Sequence, residues 1–204
     1  MKILFLTTNS NTKPLIEWLK DVAKEEVILW EDIITSEDLN KLRPDFIISY
    51  NYKYILKKDI LDFLPNRIIN LHISLLPYNK GSHPNIWSFL EDTPKGVTIH
   101  YVDEGLDTGD IIVQKELFID EDKETLKSSY EILHREIQTL FKEYWDRIKN
   151  NAIFRRPQVQ TGTFHPKKDF EQLQHFIAEK GWKTSIRELK EKYNQYKHRI
   201  IIKD

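Results

Sequence analysis

Short apolar runs punctuate the first seventy-one residues: 3–6 (ILFL), 27–30 (VILW), 46–48 (FII) and 68–71 (IINL), the last broken only by Asn70. Runs of this length without polar alternation predict strands buried on both faces of a parallel sheet. Leu15, Ile16, Leu19 and Val22 recur at helical spacing between the first two runs, and helical segments separate the others, so strand and helix alternate. The pattern predicts an α/β fold: a Rossmann-like open, mostly parallel sheet flanked by helices, occupying residues 1–150. Ligands of such sheets sit beyond the carboxyl ends of the strands. The loops after Leu6, Ile48 and Leu71 should therefore meet at one crevice and bring Asn9, Tyr50 and His72 near one another.

Residues 96–102 alternate Val97, Ile99 and Tyr101 with polar neighbours, and residues 110–118 alternate less cleanly. They predict strands on either side of a loop at 103–109. Over 124–148, Leu126, Tyr130, Leu133, Ile137, Leu140, Phe141 and Trp145 predict one long helix whose apolar stripe is core or, in part, an oligomer seam. The composition changes after Asn150-Asn151. Residues 151–204 are expected to form a small C-terminal extension, looped around Arg156-Pro157 and 162–166, then helical near 169–178 and 185–196.

Composition narrows the function classes. The 204 residues are 40% hydrophobic and 12% aromatic, as in ordinary globular proteins, and suffice for one full core with a modest addition. Net charge is −1, from 31 basic and 32 acidic residues, so no overall field attracts nucleic acid. There is no cysteine, which excludes disulfides, thiolate catalysis and Cys-ligated metal sites. The apolar run at the N-terminus is too short for a signal peptide, and none approaches the ~20 residues of a membrane span. A soluble, cytoplasmic protein is expected.

The chemistry concentrates in residues 70–77 (NLHISLLP) and 103–109 (DEGLDTG). Asn70 and His72 are two apart at a strand end and face the same way if the strand reaches that far. A carboxamide N–H and an imidazolium N–H aimed at one point would hold an oxyanion. Asp107 could hold the imidazole protonated or take a proton from an attacking amine through water. A carboxamide, an imidazole and a carboxylate, with no thiol and no metal-ligand cluster, suit direct acyl transfer. Each residue alone reads as ordinary loop hydrogen bonding; together they form a constellation.

The same stretches, with Lys80-Gly81 and residues 96–109 (GVTIHYVDEGLDTG), resemble the formyltransferase family that uses 10-formyltetrahydrofolate. That family includes glycinamide ribonucleotide formyltransferase, methionyl-tRNA formyltransferase and the sugar-nucleotide N-formyltransferases. The resemblance covers roughly residues 1–119 and puts Asn70, His72 and Asp107 on the family's catalytic triad; Ile73 stands where a proline often precedes the serine. It implies 10-formyltetrahydrofolate as co-substrate, no metal, and direct attack by a neutral amine on the formyl carbon. It also implies that residues 50–56 (YNYKYIL) and 102–107 line the folate pocket, with Tyr50, Tyr54, Ile55, Leu56 and Asp103 as contacts. For Ile55 and Leu56, core positions at a helix start are the alternative.

Three acceptors compete. The tRNA enzyme carries a further RNA-binding domain, and only ~55 residues follow the long helix here, without basic charge. The purine-pathway enzyme resembles a Gly-Ser-Asn phosphate cradle after the first strand, where this chain reads Thr7-Thr8-Asn9-Ser10-Asn11-Thr12. The loop at 77–87 and the tail at 162–169 are similar to those of the sugar-nucleotide enzymes. The resemblance thus implies formylation of a nucleotide-linked amino sugar, such as a dTDP-4-amino-4,6-dideoxyhexose, for bacterial surface polysaccharide. Glycinamide ribonucleotide formylation and a non-catalytic folate or nucleotide binding module are the alternatives. Substrate contacts are expected from Asn9, Tyr78 and Lys80. Asn9 otherwise caps the following helix, and Lys80 is otherwise a solvated loop lysine. Trp87 is expected in the core, His165 at the cleft or on the surface. Neither nucleic acid nor membrane is an expected partner, and a homodimer is reasonable.

Overall fold

The structure, a computed structural model, describes residues 1–201; the last three residues of the expected extension lie outside the described residues. The strands are β1 (Lys2–Leu6), β2 (Glu26–Trp30), β3 (Phe46–Tyr50), β4 (Ile68–His72), β5 (Lys80–Gly81), β6 (Gly96–Tyr101), β7 (Ile111–Glu116) and β8 (Phe164–His165). The helices are α1 (Lys13–Asp21), α2 (Ser36–Leu42), α3 (Lys58–Phe63), α4 (Pro84–Leu90), α5 (Leu126–Lys149), α6 (Lys167–Glu171) and α7 (Ile186–Ile201). The chain forms two compact units: Met1–His72, Thr98–Gln114 and Ile137–Val159 in the first, Ile73–Val97, Lys115–Glu136 and Gln160–Asp204 in the second. The residues after 150 are therefore divided between the units, because their pairings lead back to earlier segments: Arg156 bridges Ile111, whereas β8 pairs with β5.

The main sheet has six strands in the order β2-β1-β3-β4-β6-β7. Strands β2, β1, β3 and β4 are parallel, and β6 runs antiparallel to β4. The mostly parallel α/β architecture expected from the apolar runs is the observed one. Leu6 lies beside Ser49, and Ser49 beside Asn70, so the loops after β1, β3 and β4 leave one edge of the sheet, the edge where open α/β sheets bind ligands. Thr8 donates its backbone N–H (3.1 Å) and hydroxyl (2.9 Å) to the Asn51 carbonyl, tying the first two loops together.

Period two divides each buried strand between two layers. Leu4, Leu6 and Ile47 pack with Leu39 of α2 and Ile60 of α3. Helix α2 is started by a capping box, in which Thr35 and Asp38 satisfy each other's backbone N–H groups. The opposite side of β3 presents Phe46, whose ring meets Trp145 of α5 edge-on at 5.4 Å. Trp145 also stacks on Phe141, and its indole N–H donates to the buried Glu25 carboxylate at 3.1 Å. Burial by itself raises the Glu25 pKa, but donors from the Met1 amine, Lys149 and Trp145 outweigh it and hold the carboxyl below its ordinary value.

In the second unit every residue of α4 is buried, the polar Asn85 and Ser88 included. Trp87 is in this core, as expected. His165 is buried, not a surface residue: its ring lies flat on Trp87 at 3.9 Å, with Nε2 3.1 Å from a Glu91 carboxylate oxygen. Among the described residues no helix is long and apolar enough to cross a membrane.

Candidate active site

Strand β4 extends to His72, so Asn70 and His72 project from the same side of the sheet, as the spacing predicts. Antiparallel pairing places His100 opposite Asn70 and Thr98 opposite His72 on β6, and directly opposed residues share a face. The loop after β6 then returns Asp107 to this face. Asp107 has φ 55°, in the left-handed region, which Asp tolerates better than most residues. Gly109 makes the return possible: a Cβ there would lie 1.9 Å from the Tyr101 carbonyl oxygen. Asp103 accepts from the Gly105 N–H (3.1 Å) and the Thr108 hydroxyl (2.7 Å), closing the loop on itself.

The first unit thus brings Asn70, His72 and Asp107 together. His72 and Asp107 are both buried, and Nδ1 of His72 stands 3.6 Å from Oδ2 of Asp107, an ion-pair distance longer than a hydrogen bond. The Asn70 carboxamide nitrogen donates to Asp107 Oδ1 at 3.2 Å and lies 3.2 Å from His100 Nε2. His100 Nδ1 is 2.7 Å from the Tyr101 carbonyl oxygen, which can only accept. In the neutral ring that contact assigns the proton to Nδ1 and leaves Nε2 to accept from Asn70. The sequence reading aims the Asn70 N–H at an oxyanion; the structure aims both amide hydrogens at Asp107 and His100.

His100 and Gln158 are the residues that sequence reasoning misses. The polar positions of β6 look like a solvent face, yet Thr98 is 0% and His100 2% exposed. Two buried polar residues at period two beside the motif strand are the signal that could have found His100. Gln158 donates from Nε2 to the backbone carbonyls of Asp107 (3.0 Å) and Gly109 (2.8 Å), fixing the left-handed turn. A glutamine that reaches two backbone carbonyls leaves no sequence signature.

The other expected contacts fall differently. Tyr50 is 0% exposed, backbone included, with its hydroxyl accepting from Gln138 Nε2 at 3.5 Å, so it presents no surface to a ligand. Leu56 belongs to the core beside α3, the alternative raised for it, because it packs with Ile60 and Leu39. Ile55 is 74% exposed and free to cover a ligand. Tyr54 is half-buried against Tyr52, and Asp103 is exposed. Asn9 is exposed and accepts from the Asn11 N–H at 3.1 Å, the capping role of the alternative reading. Tyr78 and Lys80, in the second unit, are half-buried. Among the described residues no group of three or more His, Cys, Asp or Glu side chains could hold a metal ion.

Known proteins are similar to this chain in sequence and fold. The formyltransferase PseJ from Anoxybacillus kamchatkensis, solved with UDP-4,6-dideoxy-4-formamido-L-AltNAc and tetrahydrofolate, superposes with a TM-score of 0.85 at 45% identity, over 93% of this chain and 97% of that one. A dTDP-4-amino-4,6-dideoxyglucose formyltransferase from Mycobacterium bovis is 33% identical over 140 residues, 68% of this chain and 58% of the relative. A methionyl-tRNA formyltransferase from Thermodesulfovibrio yellowstonii is 37% identical over 154 residues, 74% of this chain and 47% of the relative. The chain spans from 29% to 58% of the length of the curated relatives it matches. The formyl transferase model matches residues 31–143, which contain Asn70, His72, His100 and Asp107. With that match over more than half of the sequence, and with the triad assembled on one face, the chain belongs to the formyl transferase family.

Proposed function

We propose that this protein transfers a formyl group from 10-formyltetrahydrofolate to the amine of a nucleotide-linked amino sugar. The assembled Asn70, His72 and Asp107 support the transfer. The observation that carries the acceptor class is the 45% identity to PseJ along 97% of that chain. Both sugar-modifying relatives carry nitrogen at position 4 of a 4,6-dideoxy sugar, on UDP in one and dTDP in the other. The proposed acceptor is therefore a 4-amino-4,6-dideoxyhexose on a uridine or thymidine diphosphate, with Tyr78 and Lys80 as acceptor contacts. The product would feed surface polysaccharide. A cytoplasmic homodimer belongs to the same proposal; the exposed Phe118, Phe154 and Val159 are apolar side chains available to a second copy.

In this reading the neutral amine attacks the formyl carbon. The new C–N bond pushes the carbonyl pair onto oxygen, and collapse of this tetrahedral oxyanion breaks the bond from carbon to the folate nitrogen. His72 stabilises the developing oxyanion, joined by Asn70 as one of its amide hydrogens turns from Asp107 or His100. The Asp107 carboxylate stabilises positive charge on the imidazole and accepts the proton lost by the amine, which returns to the folate nitrogen. Tyr54 and Ile55, with the loop at Asp103, would cover the folate.

The test is incubation with 10-formyltetrahydrofolate and a panel of amines: UDP- and dTDP-linked 4-amino sugars, glycinamide ribonucleotide and methionyl-tRNA. Mass spectrometry should show one formyl group gained by an amino sugar alone. Formylation of glycinamide ribonucleotide or methionyl-tRNA alone would overturn the acceptor; folate binding without any transfer would favour a binding module. Gln158→Leu, which frees the carbonyls of Asp107 and Gly109, should lower kcat by roughly 10-fold, the cost of losing about two hydrogen bonds that orient the turn. Steady-state kinetics should show little change in either KM.

A further inference from the structure

The loop that follows the catalytic strand is held along its length by a segment some eighty positions later. The N–H of Lys80 donates to the Thr163 carbonyl at 2.9 Å, and that of Ser82 to the His165 carbonyl at 2.8 Å, making the parallel β5–β8 pair. Beside the first of these rungs, at Asn79, side chains interlock as well. The Asn79 backbone N–H donates to the Thr163 hydroxyl at 2.8 Å, and that hydroxyl donates back to Asn79 Oδ1 at 3.2 Å. Asn79 is 0% exposed, has φ 57°, and sends its Nδ2 to the Thr93 hydroxyl at 2.7 Å. Two threonines thus bind the side chain of a residue whose backbone is in the left-handed region.

Contact at the two glycines leaves no room for adjustment. A Cβ on Gly162 would lie 1.8 Å from the Pro77 carbonyl oxygen, and one on Gly81 would lie 2.5 Å from the His165 carbonyl oxygen. Gly81 also has φ 90°, a value that strains any other residue. Residues 77–82 are therefore set by residues 162–165, with Tyr78 and Lys80 on either side of the interlocked Asn79.

We infer that residues 162–165 are a positioning element for the acceptor loop, and that Thr163 governs affinity for the amine substrate without touching it. The inference rests on the proposed roles of Tyr78 and Lys80. Thr163→Val keeps the side-chain shape and removes both bonds to Asn79, whereas Thr163→Ser retains the hydroxyl. The valine variant should raise KM for the nucleotide-linked amino sugar about tenfold, equivalent to about 1.4 kcal/mol, with kcat and KM for the formyl donor within about twofold. The serine variant should stay close to the parent. Equal loss in the serine variant, or a fall in kcat with the acceptor KM unchanged, would overturn the assignment.

Hydrogen exchange at residues 77–82 reads the positioning role without any acceptor. The amides of Asn79, Lys80 and Ser82 should exchange faster in Thr163→Val than in the parent, and unchanged exchange would overturn the inference. If the parent protein formylated no amino sugar, the functional reading would fail while this measurement still decided whether the segment holds the loop.

Discussion

His72→Ala is expected to lower kcat for formyl transfer by about 10³-fold, the range for removing a group that stabilises an oxyanion and takes part in proton transfer. The ring stands at the end of β4, buried, with Nδ1 facing the Asp107 carboxylate. In the proposed mechanism, deleting it removes the ring that stabilises the developing oxyanion. The same deletion leaves Asn70 bound to Asp107 and His100, so the remaining donor stays turned away from the substrate. Affinity for the folate should change little, since the proposed contacts at Tyr54, Ile55 and Asp103 are untouched. Single-turnover formylation followed by mass spectrometry, with folate binding measured by calorimetry, separates the two. A variant retaining a tenth or more of the parental rate would remove His72 from the mechanism. Asp107→Asn should fall by a similar factor with the loop retained, because the substitution keeps size and removes charge.

How much of this could be read from the sequence depends on the distance over which each feature is specified. The runs that form β1, β3 and β4 are apolar, broken only by Asn70, because both faces of those strands are covered, so periodicity found them. Strand β2 has the same apolar composition but sits at the sheet edge, with Glu26 and Leu29 exposed; composition cannot distinguish an edge from an interior strand. Asn70 and His72 were legible because period two fixes their common direction. His100 was not, because its role depends on the register of β4 against β6, thirty residues away in sequence. The two-residue strands β5 and β8 are illegible for the same reason, since the pairing of Lys80 with Phe164 is specified by contacts and not by propensity. Of the two readings of the α5 stripe, core holds at Leu133, Ile137, Phe141 and Trp145, all of which are buried.

Trp145→Ala is expected to be the most damaging single truncation in the first unit, costing about 3–5 kcal/mol. Trp145 is 1% exposed, meets Phe46 edge-on and stacks on Phe141. Its removal opens a cavity between α5 and the β3 side of the sheet, which these rings fill. It also deletes a donor to Glu25, a carboxylate whose side chain is 5% exposed and which depends on hydrogen bonds to remain ionised at that depth. Trp145→Phe divides the two contributions, since it keeps most of the packing and loses only the indole N–H. That variant should cost about 1.5–3 kcal/mol, the value of one hydrogen bond to a charged group. The Glu25 share depends on pH: because its pKa is lowered in the folded protein, its stabilisation is present above the unfolded carboxyl pKa and lost as pH falls through the folded value. The gap between parent and Trp145→Phe in urea midpoint should therefore narrow on acidification, whereas the gap to Trp145→Ala should largely persist. A gap to Trp145→Phe that is independent of pH would show that the indole N–H does not help hold Glu25 ionised.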